Sequence, residues 1–314
     1  MAPAKAGVCG LEGQKSSRSR RTRNGHAGGS QMETLMTTVT VYIPTRNRSH
    51  LVTRAVSSVL CQTFADWECI VVDDGSDDDT PAIMAALVAA DSRIRYLRSP
   101  ASQGAPAARN WAISEARGRF VTGLDDDDMF LRRRLENLVD GLAGKDGLIS
   151  SEDVLWKHGR MKPLHRPSLV TLPMLLKRNY IGNQLMAPKA WVDGVGGFDV
   201  GLRARQDYDL WLRLVEKYGP VTMLGSAGQI IFESDSKDRI SDDSSRRRDG
   251  IDRFLEKHAS KMSRRELAIH QSHRRRIDGD IGAVVAAVRG FDFTADGLRD
   301  LYNAARLAKP GKRR

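Results

Sequence analysis

Through the first half of the chain, short β-branched runs alternate with stretches whose apolar residues recur every three or four positions. Thr38 to Ile43 reads as a strand closed by Pro44, and Ser49 reads as the N-cap of a helix from His50 to about Gln62. Leu51, Ala55, Val56, Val59 and Leu60 form the apolar face of that helix. Trp67 to Val72 predicts a second strand, and Thr80-Pro81 predicts the start of a helix that runs to Ala90. Arg93 to Leu97, a helix from about Ala105 to Ala116, a fourth strand at Phe120 to Leu124 and a helix at Leu131 to Leu142 follow. Strands separated by helices at this spacing imply βαβ units with right-handed crossovers, hence a Rossmann-like parallel sheet.

The second half is less regular. Leu148 to Lys157 predicts a strand, Ser168 to Lys177 a helix, and Asn179 to Ala187 an extended segment. A glycine turn at Gly194 to Asp199 precedes an amphipathic helix at Gln206 to Tyr218. Val221 to Leu224 and Gln229 to Phe232 predict two short strands. From Ser244 onward the pattern is charged and helical, with helices expected near 245–259, 263–276, 280–289 and 295–307. Residues 1–36, rich in Gly, Ser, Ala and Arg, read as a disordered basic tail.

Charge sharpens this division. The net charge of +11 is concentrated in the flanks: residues 37–236 carry 24 Lys/Arg against 25 Asp/Glu. Residues 1–36 carry six against two, and residues 237–314 carry twenty against twelve. Such flanks suit solvation or an anionic surface, including a membrane face that the tail Lys309 to Arg314 could touch. No RNA-binding signature or zinc-finger spacing favours nucleic acid. No stretch has the roughly 20 apolar residues of a membrane span, and no secretory core segment is present, so a cytoplasmic setting is expected. Cys9, Cys61 and Cys69 lack metal-ligand spacing, and Cys61 and Cys69 read as small core residues.

Candidate chemistry gathers behind the strands, where open α/β sheets bind ligands. Pro44-Thr45-Arg46-Asn47-Arg48 follows the first strand and suits a phosphate or ribose. Asp73-Asp74-Gly75-Ser76 follows the second, where an acidic group can accept bonds from a ribose or base edge. Asp125-Asp126-Asp127-Asp128 follows the fourth. Four adjacent carboxylates repel one another unless a cation joins them, and hard divalent ions prefer oxygen. Each motif read alone is equally an ordinary turn or a helix-dipole contact. In Arg203-Ala204-Arg205-Gln206-Asp207-Tyr208-Asp209, the last two carboxylates cannot share a helix face, so one can enter a cleft as general base. The chain lacks G-x-G-x-x-G after its first strand, any P-loop and any G-x-S-x-G elbow, which disfavours dinucleotide oxidoreductases, P-loop NTPases and serine hydrolases.

Taken in order, Val41 to Asn47, Ser57 to Thr63, Ile70 to Ser76, Ala108-Arg109-Asn110 and Leu124 to Asp128 resemble family 2 glycosyltransferases. Gly182-Asn183-Gln184, Gly196 to Asp199 and Gln206 to Leu214 resemble the acceptor side of the bacterial surface-polysaccharide branch. The resemblance implies a GT-A fold over residues 37–240, a mixed but mainly parallel sheet flanked by helices, with a basic helical C-terminal extension at 241–314. It implies an inverting enzyme using a nucleoside-diphosphate sugar, UDP- or dTDP-linked, and a glycan or lipid-linked glycan acceptor. A divalent ion, Mn²⁺ or Mg²⁺, would sit on Asp127 with Asp125, while Asp125 or Asp126 lies nearer the ribose. Pro44, Thr45, Arg48, Asp74 and Arg109 would line the nucleotide pocket, with Asp74 reading the base, and Asp207 would be the catalytic base. Two departures stand out. Gln206 replaces the glutamate often found before the base, and the segment Glu233 to Asp238, shortly before Arg239, lacks the histidine that some relatives carry there. Two rival readings are a catalytically inactive nucleotide-sugar-binding module and a nucleotidyltransferase. The second would need a glycine-rich triphosphate loop after the first strand, which Pro44 to Asn47 does not supply.

Overall fold

A computed structural model describes residues 38–233 and 244–277. Its centre is a ten-stranded sheet built on β1 (Val39–Thr45), β2 (Trp67–Asp73), β3 (Ile94–Arg98) and β4 (Phe120–Gly123). The short β5 (Met129–Phe130) is followed by β6 (Leu148–Lys157), β7 (Arg160–Leu164), β8 (Leu169–Val170), β9 (Met186–Pro188) and β10 (Val221–Glu233). The order across the sheet is β3-β2-β1-β4-β9-β6-β10-β5, with β7 on β6 and β8 on β10. The strands β3, β2, β1 and β4 are mutually parallel, as the βαβ spacing predicts. β9 then runs antiparallel between β4 and β6, which makes the sheet mixed.

The helices are α1 (Ser49–Leu60), α2 (Thr80–Ala90), α3 (Ala105–Ser114), α4 (Arg134–Leu142), α5 (Leu172–Leu175), α6 (Lys189–Gly194), α7 (Gln206–Tyr218), α8 (Ser244–His258) and α9 (Arg264–Ile277). Helices on both faces bury β1 and β2 almost completely, which is why those strands are nearly continuous apolar runs. Alternate residues feed two cores. Val39, Val41, Ile43 and Val71 pack with the α1 residues Val52, Val56 and Val59. Tyr42, Ile70 and Val72 lie in the opposite core with α3, α7 and two residues of the helical extension, Phe254 and Met262. The helical extension thus completes the second core: Phe254 is wholly buried and stacks on Tyr208 with ring centroids 4.5 Å apart.

Several expectations need correction. Ser49 is the first residue of α1 and caps nothing; its amide donates instead to Asp78 Oδ2 at 2.9 Å. The helix expected from Leu131 begins at Arg134, because Met129 and Phe130 pair with β10. The helix expected over Ser168 to Lys177 shrinks to the single turn of α5, since Leu169 and Val170 also pair with β10. Of the extended segment expected at 179–187, only Met186 and Ala187 join the sheet, in β9. The two strands expected at Val221 to Phe232 are one, interrupted by register shifts between Leu224 and Gln229. Cys69 is buried as expected but Cys61 is exposed. The expectations for residues 1–36, the helices near 280–289 and 295–307, the Lys309–Arg314 tail and the region before Arg239 lie outside the described residues.

Candidate active site

The carboxyl ends of β1, β2 and β4 deliver Thr45, Asp73 and the Asp125–Asp128 run to one edge of the sheet. Gly123 lets β4 pass close over Tyr42; a Cβ there would lie 2.6 Å from the tyrosine ring. Each carboxylate of the run then takes different partners. Asp126 turns inward, accepting from Thr45 Oγ1 at 2.7 Å and Arg48 Nη1 at 2.9 Å. Burial still pushes its carboxyl up to about 6, against the pull of Arg48. Asp128 is also buried and accepts from Asn183 Nδ2 at 3.1 Å and the Phe232 amide at 3.1 Å. Burial, together with Asp125 and Asp127, holds it well above the usual carboxylate range. Asp125 accepts from Arg109 Nη2 at 2.9 Å and Asn183 Nδ2 at 3.0 Å. Asp127 lies 3.4 Å from Arg48 Nη1, and its backbone carbonyl accepts from Arg54. Asp125 and Asp127 are the accessible pair, with side chains 26% and 19% exposed.

Asp73 and Asp74 divide similarly. Asp73 is fully buried, accepting from the Ser76 amide at 2.7 Å and the Tyr96 hydroxyl at 2.5 Å, so it braces the turn. Asp74 accepts from Ser102 Oγ at 2.6 Å, the Gln103 amide at 2.7 Å and the Gly104 amide at 2.8 Å, shaping the loop that enters α3. A cleft of about 230 Å³ opens beside it, lined in part by Pro100, Gln103 and Trp111. Pro44 sits within β1 opposite Val72, and Arg48 immediately precedes α1.

The second half closes the site from the other side. Arg205, at φ +60°, sits in the left-handed region at the start of α7. Its guanidinium lies 5.5 Å from the Phe254 ring centroid and 3.0 Å from His270 Nδ1, so C-terminal residues hold this strained turn. Asp207 follows in the first turn, 3.4 Å from Asn179 Nδ2. Burial pushes its carboxyl up to about 6, with Arg109 pulling it down and Asp125 adding to the rise. Asp209, two residues on, faces the other way and is wholly buried. It accepts from His258 Nε2 and Lys257 Nζ, each at 2.8 Å, and from Arg213 Nη2 at 2.7 Å. Burial works to raise that carboxyl, but these three donors outweigh it and hold it well below the ordinary range.

Arg109 links the halves. It is bonded to Asp125, attracts Asp207, and keeps Nη1 buried without a hydrogen-bond partner among the described residues. Its neighbour Asn110 exchanges two bonds of 2.8 Å with the backbone of Phe198, tying α3 to the glycine turn before α7. Asn183, Arg54, Asn179 and Gln229 complete the polar network, Gln229 Nε2 donating to Asn183 Oδ1 at 2.7 Å. Sequence reasoning did not single these four out, although Asn183 lay in the quoted Gly-Asn-Gln motif.

The donor set fits a hard divalent cation: the available ligands are carboxylate oxygens, and two of them are accessible. Among the described residues no group of three or more His, Cys, Asp or Glu side chains is arranged to hold an ion unaided. Such an ion would take Asp127, with Asp125, and complete its shell from a diphosphate and water. No helix among the described residues is long and apolar enough to cross a membrane.

The model of "Glycosyl transferase family 2" matches residues 40–184. The putative colanic acid biosynthesis glycosyl transferase WcaA of Escherichia coli K12 is 32% identical over 276 residues, covering 83% of this chain and 97% of that protein. The Escherichia coli UDP-Glc:alpha-D-GlcNAc-diphosphoundecaprenol beta-1,3-glucosyltransferase WfgD is 31% identical over 57% of this chain and 70% of its own length. Among solved structures, S. aureus TarS 1-349 with UDP-GlcNAc superposes with a TM-score of 0.63 at 19% identity, over 85% of this chain and 79% of that one. The mannosyltransferase PcManGT from Pyrobaculum calidifontis, with GDP-Man and Mn²⁺, gives 0.58 at 18% identity over 88% and 82%. These likenesses identify the GT-A fold.

Proposed function

The chain belongs to glycosyl transferase family 2, within its bacterial polysaccharide-synthesis relatives, and from that premise we propose an inverting reaction. A sugar moves from a UDP- or dTDP-linked donor to a hydroxyl of a lipid-linked glycan. The observation that carries this reading is Arg109: a buried cation with one unpartnered N–H, set between the donor-side carboxylate Asp125 and the carboxylate Asp207. An anionic diphosphate is the ligand such a group lacks.

In this reading the base enters the cleft beside Asp74, and Thr45 and Arg48 fix the floor of the pocket through Asp126. Asp127, with Asp125, would hold a divalent ion, which would stabilise negative charge on the departing diphosphate. Arg109 Nη1 donates to the diphosphate and holds it in line with the acceptor. Asp207 takes the proton from the acceptor hydroxyl as that oxygen attacks the anomeric carbon. A carboxyl poised near 6 is ionised at neutral pH yet basic enough to assist. Gln206 Oε1, buried beside it without a partner, can accept from a second acceptor hydroxyl. One base and one displacement give inversion without an enzymic nucleophile.

The test is incubation with UDP- and dTDP-sugars and a diphosphate-lipid-linked sugar acceptor, following nucleoside diphosphate release and the product's anomeric configuration by NMR. A β-linked product from an α-donor supports the reading. Donor binding without turnover on any acceptor would favour the inactive module, and pyrophosphate release from a triphosphate would favour the nucleotidyltransferase.

A further inference from the structure

Beyond its single pairing with β9 at Ile149, β6 continues to Lys157 with β10 along one side, as far as Glu233 opposite Lys157, and β7 along the other. The turn at the tip of the β6–β7 ribbon is His158-Gly159, both at positive φ, which matches the twist of a tight hairpin. Residues 158–163 are exposed. The ribbon's composition is unlike the neutral core around it. Residues 154–168 hold four Lys/Arg and two His with no Asp or Glu; Lys157, His165 and Arg166 pair with Glu233, Glu152 and Asp153, and Arg160 and Lys162 stand at the exposed tip. Among them Met161 is 60% exposed, and Leu169 just beyond is 47% exposed, two of the few large apolar side chains in water.

The ribbon is also tied to the active site. Trp156 lies against Phe232 with ring centroids 6.3 Å apart, and the Phe232 amide bonds Asp128. Lower down, Asp153 holds Arg166 at 3.1 Å. From Trp156 the tip lies about 10 Å further along the strand. Cationic side chains around a protruding methionine are the chemistry that seats a peripheral protein at an anionic lipid headgroup layer.

We propose that the β6–β7 ribbon docks this protein on an anionic phospholipid surface through Arg160, Lys162 and Met161, which brings the cleft to an acceptor carried in that surface. The inference rests on the lipid-linked-acceptor reading for its purpose, though the docking itself can be measured alone. Each cation near such a surface contributes about fivefold in affinity, so the pair contributes roughly thirtyfold.

The experiment compares the full chain with Arg160→Gln/Lys162→Gln by sedimentation with vesicles of phosphatidylcholine, with and without phosphatidylglycerol. Unchanged melting temperature and unchanged response to nucleotide establish that the variant is folded. The expected result is binding to the anionic vesicles only, weakened roughly thirtyfold in the variant. Turnover of a short-chain water-soluble acceptor stays the same in both, while turnover of a vesicle-borne acceptor falls in the variant. Equal binding by the two proteins, equal binding to neutral vesicles, or loss of binding only on deleting residues 307–314 would overturn the proposal. Binding of a soluble acidic polysaccharide with no vesicle sedimentation would do the same. If neither protein turns over the soluble acceptor, the functional reading fails while sedimentation still decides the docking.

Discussion

The two edges of the cleft hold their carboxylates by different means. After β4, four consecutive aspartates share three arginines, Arg48, Arg54 and Arg109, and each arginine comes from a helix or turn of the same βαβ frame. At the start of α7, two aspartates on opposite faces draw on distant segments: Asp207 on Asn179 and Arg109, Asp209 on Arg213 and the C-terminal residues Lys257 and His258. The edge after β4 is therefore set by a regular sheet, while the edge at α7 is set by side-chain bonds that hold irregular backbone. Substitution should separate chemistry from architecture most clearly where the two aspartates of α7 stand side by side.

The largest effect is expected at Asp207. In the proposed mechanism, replacing it with Asn removes the general base, typically a 10²- to 10⁴-fold loss in kcat. Donor affinity should survive, because the proposed role sets Asp207 against the acceptor, and stability should hold or rise, because an ionised buried carboxyl is removed. Steady-state kinetics beside nucleotide titration would show this; wild-type turnover would dismiss Asp207 as the base.

Asp209→Asn should invert that pattern. It leaves Lys257, His258 and Arg213 facing a neutral group in a buried site, a change that generally destabilises by about 3–5 kcal/mol. Melting temperature is the readout, and a fall no larger than that of an ordinary surface variant would show that the extension is held by Phe254 packing alone. The depressed carboxyl adds a sign to this. Its stabilisation is fully present above the unfolded pKa of about 4 and is lost as pH falls towards the lower folded value. The acid limb of the melting profile should therefore be shallower in the Asn variant.

A smaller effect belongs to the edge after β4. Nucleoside diphosphate with Mn²⁺ at a hundred times its Kd should stabilise the protein by about 2.7 kcal/mol. Asp127→Ala should abolish the Mn²⁺-dependent part of that shift, whereas chelation should have no effect on the variant. A metal-dependent shift that persists in Asp127→Ala would move the ion to Asp125 or away from the run.

How far the sequence foretold all this follows the same division. Strands β1 to β4 and the placement of Thr45, Asp74 and the Asp125–Asp128 run at their ends were readable because parallel strands covered on both faces leave long apolar runs closed by polar turns. In the second half, β5 and β8 are two-residue strands whose existence depends on β10, so no local periodicity marks them. Division of labour within the aspartate run was equally hidden. Asp126 and Asp128 are turned inward by Thr45, Arg48, Asn183 and Phe232, partners 55 to 104 residues away. The opposite facing of Asp207 and Asp209 was legible from helical geometry; which of them met His258 was not, since that contact spans 49 residues.

The gentlest probe is pH. The proposed base Asp207 would work only when ionised, and burial with Asp125 nearby raises its carboxyl to about 6 despite Arg109. The rate should therefore be flat at neutral pH and fall about tenfold per unit well below pH 6, where the protonated form dominates. Arg109→Gln should lower the rate outright and also shift this limb upward, because the attraction that favours the charged form is gone. A limb that falls in wild type but stays at the same pH in Arg109→Gln would mean that Asp207 does not sense Arg109. The two edges of the cleft would then be neighbours in space without being coupled in charge.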